Sequence, residues 1–213
     1  MDISCRVLFH FVGLLEDIYY NFHSNTLIIF ITNSEICDFF YISLKKKMMK
    51  ISKVVVIGSG TMGSGIAAQV ANAGLQVHLL DLTKDIAIGA CERIKNSRPP
   101  LLMEDDCLTK IIPGSIENDI DKIKEADWVV EAVVERIDIK KSIYSKIDNL
   151  RKPGALVSSN TSSIPLKVLA EDMSDEMKKV FCITHFFNPV RYMRLLELVI
   201  GTQNDKEKIS DLV

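Results

Sequence analysis

The chain has 213 residues, 47% of them hydrophobic and 25% charged, with 26 basic and 28 acidic side chains for a net charge of −2. That describes one ordinary globular domain with a short appendage, and it argues against a nucleic-acid partner, which would call for a basic excess. Five scattered cysteines (Cys5, Cys37, Cys91, Cys107, Cys182) form no CxxC pair, which excludes a disulfide framework or structural zinc site and suits a reducing cytoplasm.

Composition is uneven along the chain. Residues 1–50 hold nine of the fourteen Phe and Tyr residues but no Ala and no Pro. All ten alanines and all six prolines come later. Apolar bursts at 7–15 and 27–32 are interrupted by Glu16, Asp17, Asn21 and Asn25, and neither approaches the roughly 18–20 residues that span a bilayer. No small-residue cleavage site follows the first burst, and the segment is too acidic for an organellar presequence. Residues 1–48 are thus either an extension that packs its aromatics or a disordered or mis-assigned leader upstream of Met48 or Met49. The compositional break at that methionine pair favours the second reading. The domain then runs over 49–202, with 203–213 opening a linker or helix.

From residue 51 the pattern becomes regular. A β-branched strand at 53–57 leads through glycines into an Ala-rich helix at 61–73, closed by Gly74 in the left-handed region. A strand over 76–80 ends at Asp81, and a helix over 84–95 is broken by Arg98-Pro99-Pro100. Further strands are expected at 111–112, 128–134, 155–158, 180–184 and 195–199, with helices at 117–125, 139–150 and 166–173. Strands alternating with helices imply a mostly parallel sheet covered on both faces.

The first strand ends in Gly58-Ser59-Gly60-Thr61-Met62-Gly63 and opens a helix. Gly58 permits the tight turn, Gly60 lets the backbone approach a pyrophosphate, and Gly63 lets helix and strand pack closely. The helix N-terminus is then aimed at the anion. A bare glycine turn is the weaker explanation, because the motif lies inside a strand–helix–strand unit. The architecture is α/β, a Rossmann-type doubly wound sheet. Asp81 ends the second strand, where a carboxylate accepts hydrogen bonds from both ribose hydroxyls and repels a 2′-phosphate. It is also a residue suited to caps and turns. With the glycines upstream, NAD is the expected cofactor over NADP, although Lys84 lies nearby.

The segment VVVIGSGTMGSGIAAQVANAGLQVHLLD, together with EAVVE at 131–135, SSNTSS at 158–163 and HFFNP at 185–189 followed by Leu195-Leu196-Glu197, resembles the L-3-hydroxyacyl-CoA dehydrogenase family. The similarity covers about 51–213, and its wording is nearest to the multifunctional fatty-acid β-oxidation proteins. It implies NAD-dependent oxidation of an L-3-hydroxyacyl-CoA to the 3-oxoacyl-CoA.

The chemistry points to the same residues. Oxidising a secondary alcohol requires a base for the hydroxyl proton, and a histidine oriented by a carboxylate supplies one near neutral pH. If 180–200 forms an antiparallel hairpin with its loop centred near Arg191, His185 and Glu197 become opposite partners, with Cβ atoms ~4.5–5.5 Å apart. His185 taken alone reads as an ordinary buried histidine. Glu197, however, lies in an apolar strand, where an unpaired carboxylate is costly. The family assigns base and orienting acid to these matching positions. The resemblance further implies that Ser159 hydrogen-bonds the substrate's 3-oxygen, that Asn188 lies beside the nicotinamide, and that Glu135 and Lys140 line that side of the cleft. Taken alone, Ser159 and Asn188 read as caps or turn residues and Lys140 as a solvated helix residue. No metal site is expected.

The family carries a further C-terminal helical domain that closes over the acyl-CoA and forms the dimer contact, and none of it is expected within these residues. The expected partners are an acyl-CoA, a separately encoded helical domain, and a second copy only if that domain is supplied. No membrane span is expected. Two other functions remain open on the residues: a non-catalytic nucleotide-binding remnant, and another β-hydroxyacid dehydrogenase. The second is disfavoured because such enzymes generally rely on a lysine.

Overall fold

In a computed structural model, the described residues are 51–212 together with the backbones of two earlier strands, Asp17–Asn21 (β1) and Thr26–Thr32 (β2). The expectations for 1–16 and 33–50, including the 7–15 burst and the methionine pair, lie outside them.

The core begins with β3 (Lys53–Ile57), where three consecutive valines and an isoleucine are at most 1% exposed. Val54 and Val56 face the helices α1 (Thr61–Asn72) and α2 (Lys84–Lys95). Val55 and Ile57 face α4 (Ile137–Leu150) on the other side. A strand buried on both faces has no need for polar alternation, which is why KVVVI reads as a continuous apolar run. Each such side chain contributes about 1.5–3 kcal/mol by leaving water.

The remaining parallel strands are β4 (Gln76–Asp81), β5 (Ile111–Ser115), β6 (Trp128–Glu131), β7 (Leu156–Ser159) and β8 (Phe181–Phe186). Strand β9 (Leu195–Ile200) runs antiparallel to β8. Sheet order is β1-β2-β9-β8-β7-β6-β3-β4-β5. The chain therefore builds outwards from β3 through β4 to β5, then returns to the other side of β3 for β6, β7 and β8. That reversal puts a crevice between the carboxyl ends of β3 and β6, where open α/β sheets bind ligands. Beyond β9, β2 pairs in parallel with it and β1 pairs antiparallel with β2, so the 27–32 burst is a strand.

Several expected elements differ in length. Strand β6 stops at Glu131 rather than at 134, because Ala132 and Val133 turn aside against Gly58; a Cβ on that glycine would lie 2.6 Å from the Ala132 oxygen. The helix expected at 117–125 is a single turn, α3 (Ile116–Asp119), that tightens into a 3-10 segment at Ile120–Glu125. The 166–173 helix shrinks to α5 (Leu166–Leu169). Short segments at Asp105–Lys110 and α6 (Asp175–Lys178) had no expectation, and α7 (Lys206–Ile209) lies in the 203–213 stretch expected to open a linker or helix. At this length helices owe their stability to tertiary contacts, so periodicity carries little signal for them.

Candidate active site

At the end of β3 the chain turns through Gly58 at φ +98°, a conformation that favours glycine. Gly63 packs so close that a Cβ there would fall 1.8 Å from the Gly58 carbonyl oxygen. Gly60 stands at the N-cap of helix α1, and no side chain caps it, whereas α2 is capped by Thr83 and α6 by Ser174. The backbone donors at its first turn thus lack a side-chain acceptor. A Cβ on exposed Gly60 would meet nothing within 4 Å. An uncapped 12-residue helix with open space before its glycine start fits a diphosphate. Thr61 is exposed and Met62 half-buried on that first turn.

Asp81, at the end of β4, reaches back to this loop. Its Oδ2 accepts from the Ser59 amide and hydroxyl, each at 2.6 Å, and its Oδ1 accepts from the Leu82 amide at 2.7 Å. The carboxylate therefore lies against the glycine loop at the carboxyl end of β4.

Across the sheet, β8 and β9 form the antiparallel pair centred on Arg191. His185 and Glu197 are direct partners in the ladder, and His185 Nδ1 lies 2.7 Å from Glu197 Oε2. Both side chains are partly exposed, at 21% and 29%. Phe187 lies against the imidazole, with ring centroids 4.5 Å apart. A carboxylate on Nδ1 favours the tautomer with its proton there and leaves Nε2 as the basic nitrogen. The pair lines a cavity of about 1010 Å³, whose apolar wall includes Ile164, Leu166, Phe181, Ile183 and Val199.

Ser159 is not on that wall. It is fully buried and donates to Glu131 Oε2 at 2.7 Å. The hydroxyl residues that do line the cavity include Thr161, Ser162 and Ser163, next to Ser159 in sequence, and Thr202. Nor is Lys140 a solvated residue. It is 1% exposed and binds Glu131 Oε1 at 2.8 Å and Glu135 Oε2 at 3.2 Å, so it meets the crevice through Glu135. Glu135 also accepts from the Thr161 and Ser163 hydroxyls. Burial alone would raise the Glu135 carboxyl, but these donors and the Lys140 charge hold it below the usual carboxylate range. Asn188 is exposed in the β8–β9 loop.

Sequence reasoning missed Glu131 and Tyr144. Glu131 is fully buried and accepts from the Val133 amide, Lys140, the Tyr144 hydroxyl (2.5 Å) and Ser159. Burial, with the Glu131 charge, pushes the Tyr144 hydroxyl far up. The signal was present: an ionisable residue closing the apolar run Trp128-Val129-Val130 must find partners.

The two centres are physically tied. Val190, in the β8–β9 loop, sits against Gly65 of α1, where a Cβ would come within 2.8 Å of it. Arg191 donates to the carbonyls of Pro100 and Leu102, and Tyr192 donates to that of Pro100. Asn160, just after β7, accepts from the Phe186 amide.

A glycine loop at the reversal point of a doubly wound sheet, an uncapped helix beyond it and an acid closing the second strand define an NAD-binding Rossmann domain. Among the described residues, no helix is long and apolar enough to cross a membrane. The family model described as 3-hydroxyacyl-CoA dehydrogenase, NAD binding domain, matches residues 53–213, and the chain belongs to that family. A probable 3-hydroxyacyl-CoA dehydrogenase of Bacillus subtilis is 42% identical over 178 residues, which is 74% of this chain and 23% of that protein. A putative fatty acid oxidation complex trifunctional enzyme of Rickettsia felis is 47% identical over 160 residues, 72% of this chain and 22% of that protein. The solved 3-hydroxybutyryl-CoA dehydrogenase of Escherichia coli K12 superposes with a TM-score of 0.69 at 34% identity, covering 77% of this chain and 35% of that one. The chain thus spans less than a quarter of the first two proteins and about a third of the third.

Proposed function

We propose that this chain is the cofactor-binding half of an enzyme that oxidises L-3-hydroxyacyl-CoA thioesters to 3-oxoacyl-CoA in fatty-acid β-oxidation. The observation that carries the reading is the His185–Glu197 pair, 2.7 Å apart on the wall of a large, mainly apolar cavity. His185 lies near the carboxyl end of β8, the same rim of the sheet as the glycine loop that follows β3.

When bound, NAD⁺ supplies the acceptor for hydride from the substrate carbon. His185 Nε2 takes the proton of the 3-hydroxyl, and Glu197 stabilises the imidazolium that results. The glycine loop and the first turn of α1 hold the diphosphate, Asp81 holds the ribose, and Asn188 with Glu135 borders the nicotinamide. Ser162, exposed on the cavity wall, is better placed than buried Ser159 to meet the 3-oxygen. Ser159 and Lys140 then serve through Glu131 and Glu135. The acyl-CoA lies along the apolar wall. Free thiols at Cys91, Cys107 and Cys182 suit a cytoplasmic setting.

The test is a pair of assays on His185→Ala. NADH affinity should stay within about twofold, while NADH oxidation driven by acetoacetyl-CoA should fall at least about a hundredfold, the scale of general-base catalysis. A tenfold loss of NADH affinity would make His185 structural and overturn the assignment. A wild-type chain that binds NADH without turnover would be a nucleotide-binding module instead.

A further inference from the structure

Ser59 occupies a variable position of the glycine motif, yet it is 1% exposed and every polar atom it has is engaged. Its amide and hydroxyl both donate to Asp81 Oδ2 at 2.6 Å. Its carbonyl accepts from Ser64 of α1 at 2.8 Å and from Arg93 of α2 at 3.1 Å. Three elements, β4, α1 and α2, thus fasten to one loop residue. By contrast Thr61, another variable position of the motif, is exposed.

We propose that Ser59 is a positioning residue that holds Asp81 in place as the ribose-binding carboxylate and so sets the preference for NAD over NADP. The inference rests on the cofactor reading of the glycine loop. A carboxylate offers about four acceptor sites across its two oxygens. Ser59 fills Oδ2 with two donors, while Oδ1 takes the Leu82 amide alone and keeps capacity for a ribose hydroxyl. Pinned at both oxygens, the carboxylate cannot swing aside. A 2′-phosphate would then be forced against a fixed negative charge, whereas a ribose diol finds an acceptor already oriented. Ser59, being buried, exerts this through Asp81 and not by touching the nucleotide.

Removing the hydroxyl leaves the amide bonds from Ser59 and Leu82 but takes away one of the two donors on Oδ2, so the carboxylate is held less firmly. Titration of the full chain with NADH and with NADPH, followed by nicotinamide fluorescence, reads the effect. Ser59→Ala should weaken NADH about five- to tenfold, less than the full worth of one charge-assisted hydrogen bond because the amides still hold the carboxylate, and change NADPH less than about twofold. Ser59→Cys keeps the volume but offers a weak donor, and should behave like Ala. On an Asp81→Ala background, Ser59→Ala should cost nothing more, since its route to the nucleotide is gone. An unchanged NADH-to-NADPH ratio in both single variants would overturn the proposal, as would a further loss of NADH affinity in the double variant. A wild-type chain that takes up neither nucleotide would overturn the cofactor reading along with it.

Discussion

The two halves of the rim are built by different means. The nucleotide half, from β3 to β5, is made of backbone and short-range packing: a glycine turn, an uncapped helix and one acid 18 residues beyond the last motif glycine. The hairpin half, from β7 to β9, is made of side chains that meet only because two strands pair in one register. A single-residue slip there would carry Glu197 to the other face and leave His185 unpartnered. A backbone-built site tolerates side-chain change but not added volume, and a side-chain-built site shows the reverse. Between the halves lies Glu131, the carboxyl end of β6, whose buried partners Lys140, Tyr144 and Ser159 come from α4 and β7.

That boundary is where the halves can be made to fail together. Lys140→Met strips the buried Glu131 of its cation, and breaking a buried pair costs about 3–5 kcal/mol. Thermal or urea unfolding should register that loss, with both NADH binding and turnover weakened. A loss below about 1 kcal/mol would show that the amide and hydroxyl donors alone suffice for Glu131. Gly63→Ala breaks the nucleotide half alone. The new methyl would meet the Gly58 carbonyl at 1.8 Å, so the loop must shift, at about 1–3 kcal/mol of stability. NADH affinity should drop more than about tenfold, while the NMR chemical shifts of the β8–β9 strand residues stay at their wild-type positions. Displaced shifts there would show the halves to be more tightly coupled than their construction suggests.

The smallest effect on nucleotide binding is expected away from the rim. Asp127, at the foot of β6, accepts from Lys152 and from the backbone or hydroxyl donors of Ser52 and Lys53. Burial alone would raise its carboxyl, but Lys152 and those donors hold it well below the usual carboxylate range. A pKa depressed in the folded state contributes stability above the unfolded value, near 3.9, and loses it as pH falls towards the folded one. Asp127→Asn should therefore cost about 1.5–3 kcal/mol at pH 7, and the gap between variant and wild type should narrow below about pH 4. NADH affinity should not change. A gap that persists undiminished at pH 3 would mean that the side chain acts by shape and not by charge.

Much of the nucleotide half was legible because its causes are local. The span 53–81 contains strand, turn, helix and acid in order, and β3 and α2 have the bounds expected of them. The hairpin was legible by one arithmetic step, the midpoint between 185 and 197, together with the cost of a lone carboxylate in an apolar strand. Ser59 was passed over because its motif position carries no residue preference, and its role arises from contacts with residues up to 34 positions away. Ser159 was given a substrate contact that its burial argues against, since sequence alone does not tell which hydroxyl in Ser-Ser-Asn-Thr-Ser-Ser faces a cavity.

By itself the sequence determined the period of each strand, the places where only glycine fits, and the identity of the ionisable groups. Those are properties of short stretches, governed by sterics and the cost of burying polarity. Only the tertiary structure decided which partners those groups found: Ser59 for Asp81, Lys140 and Tyr144 for Glu131, and Ser162 in place of Ser159 on the cavity wall. The reason is that the free energy of a buried charge depends on every donor within about 3 Å of it, and those donors arrive from strands and helices far apart in the chain.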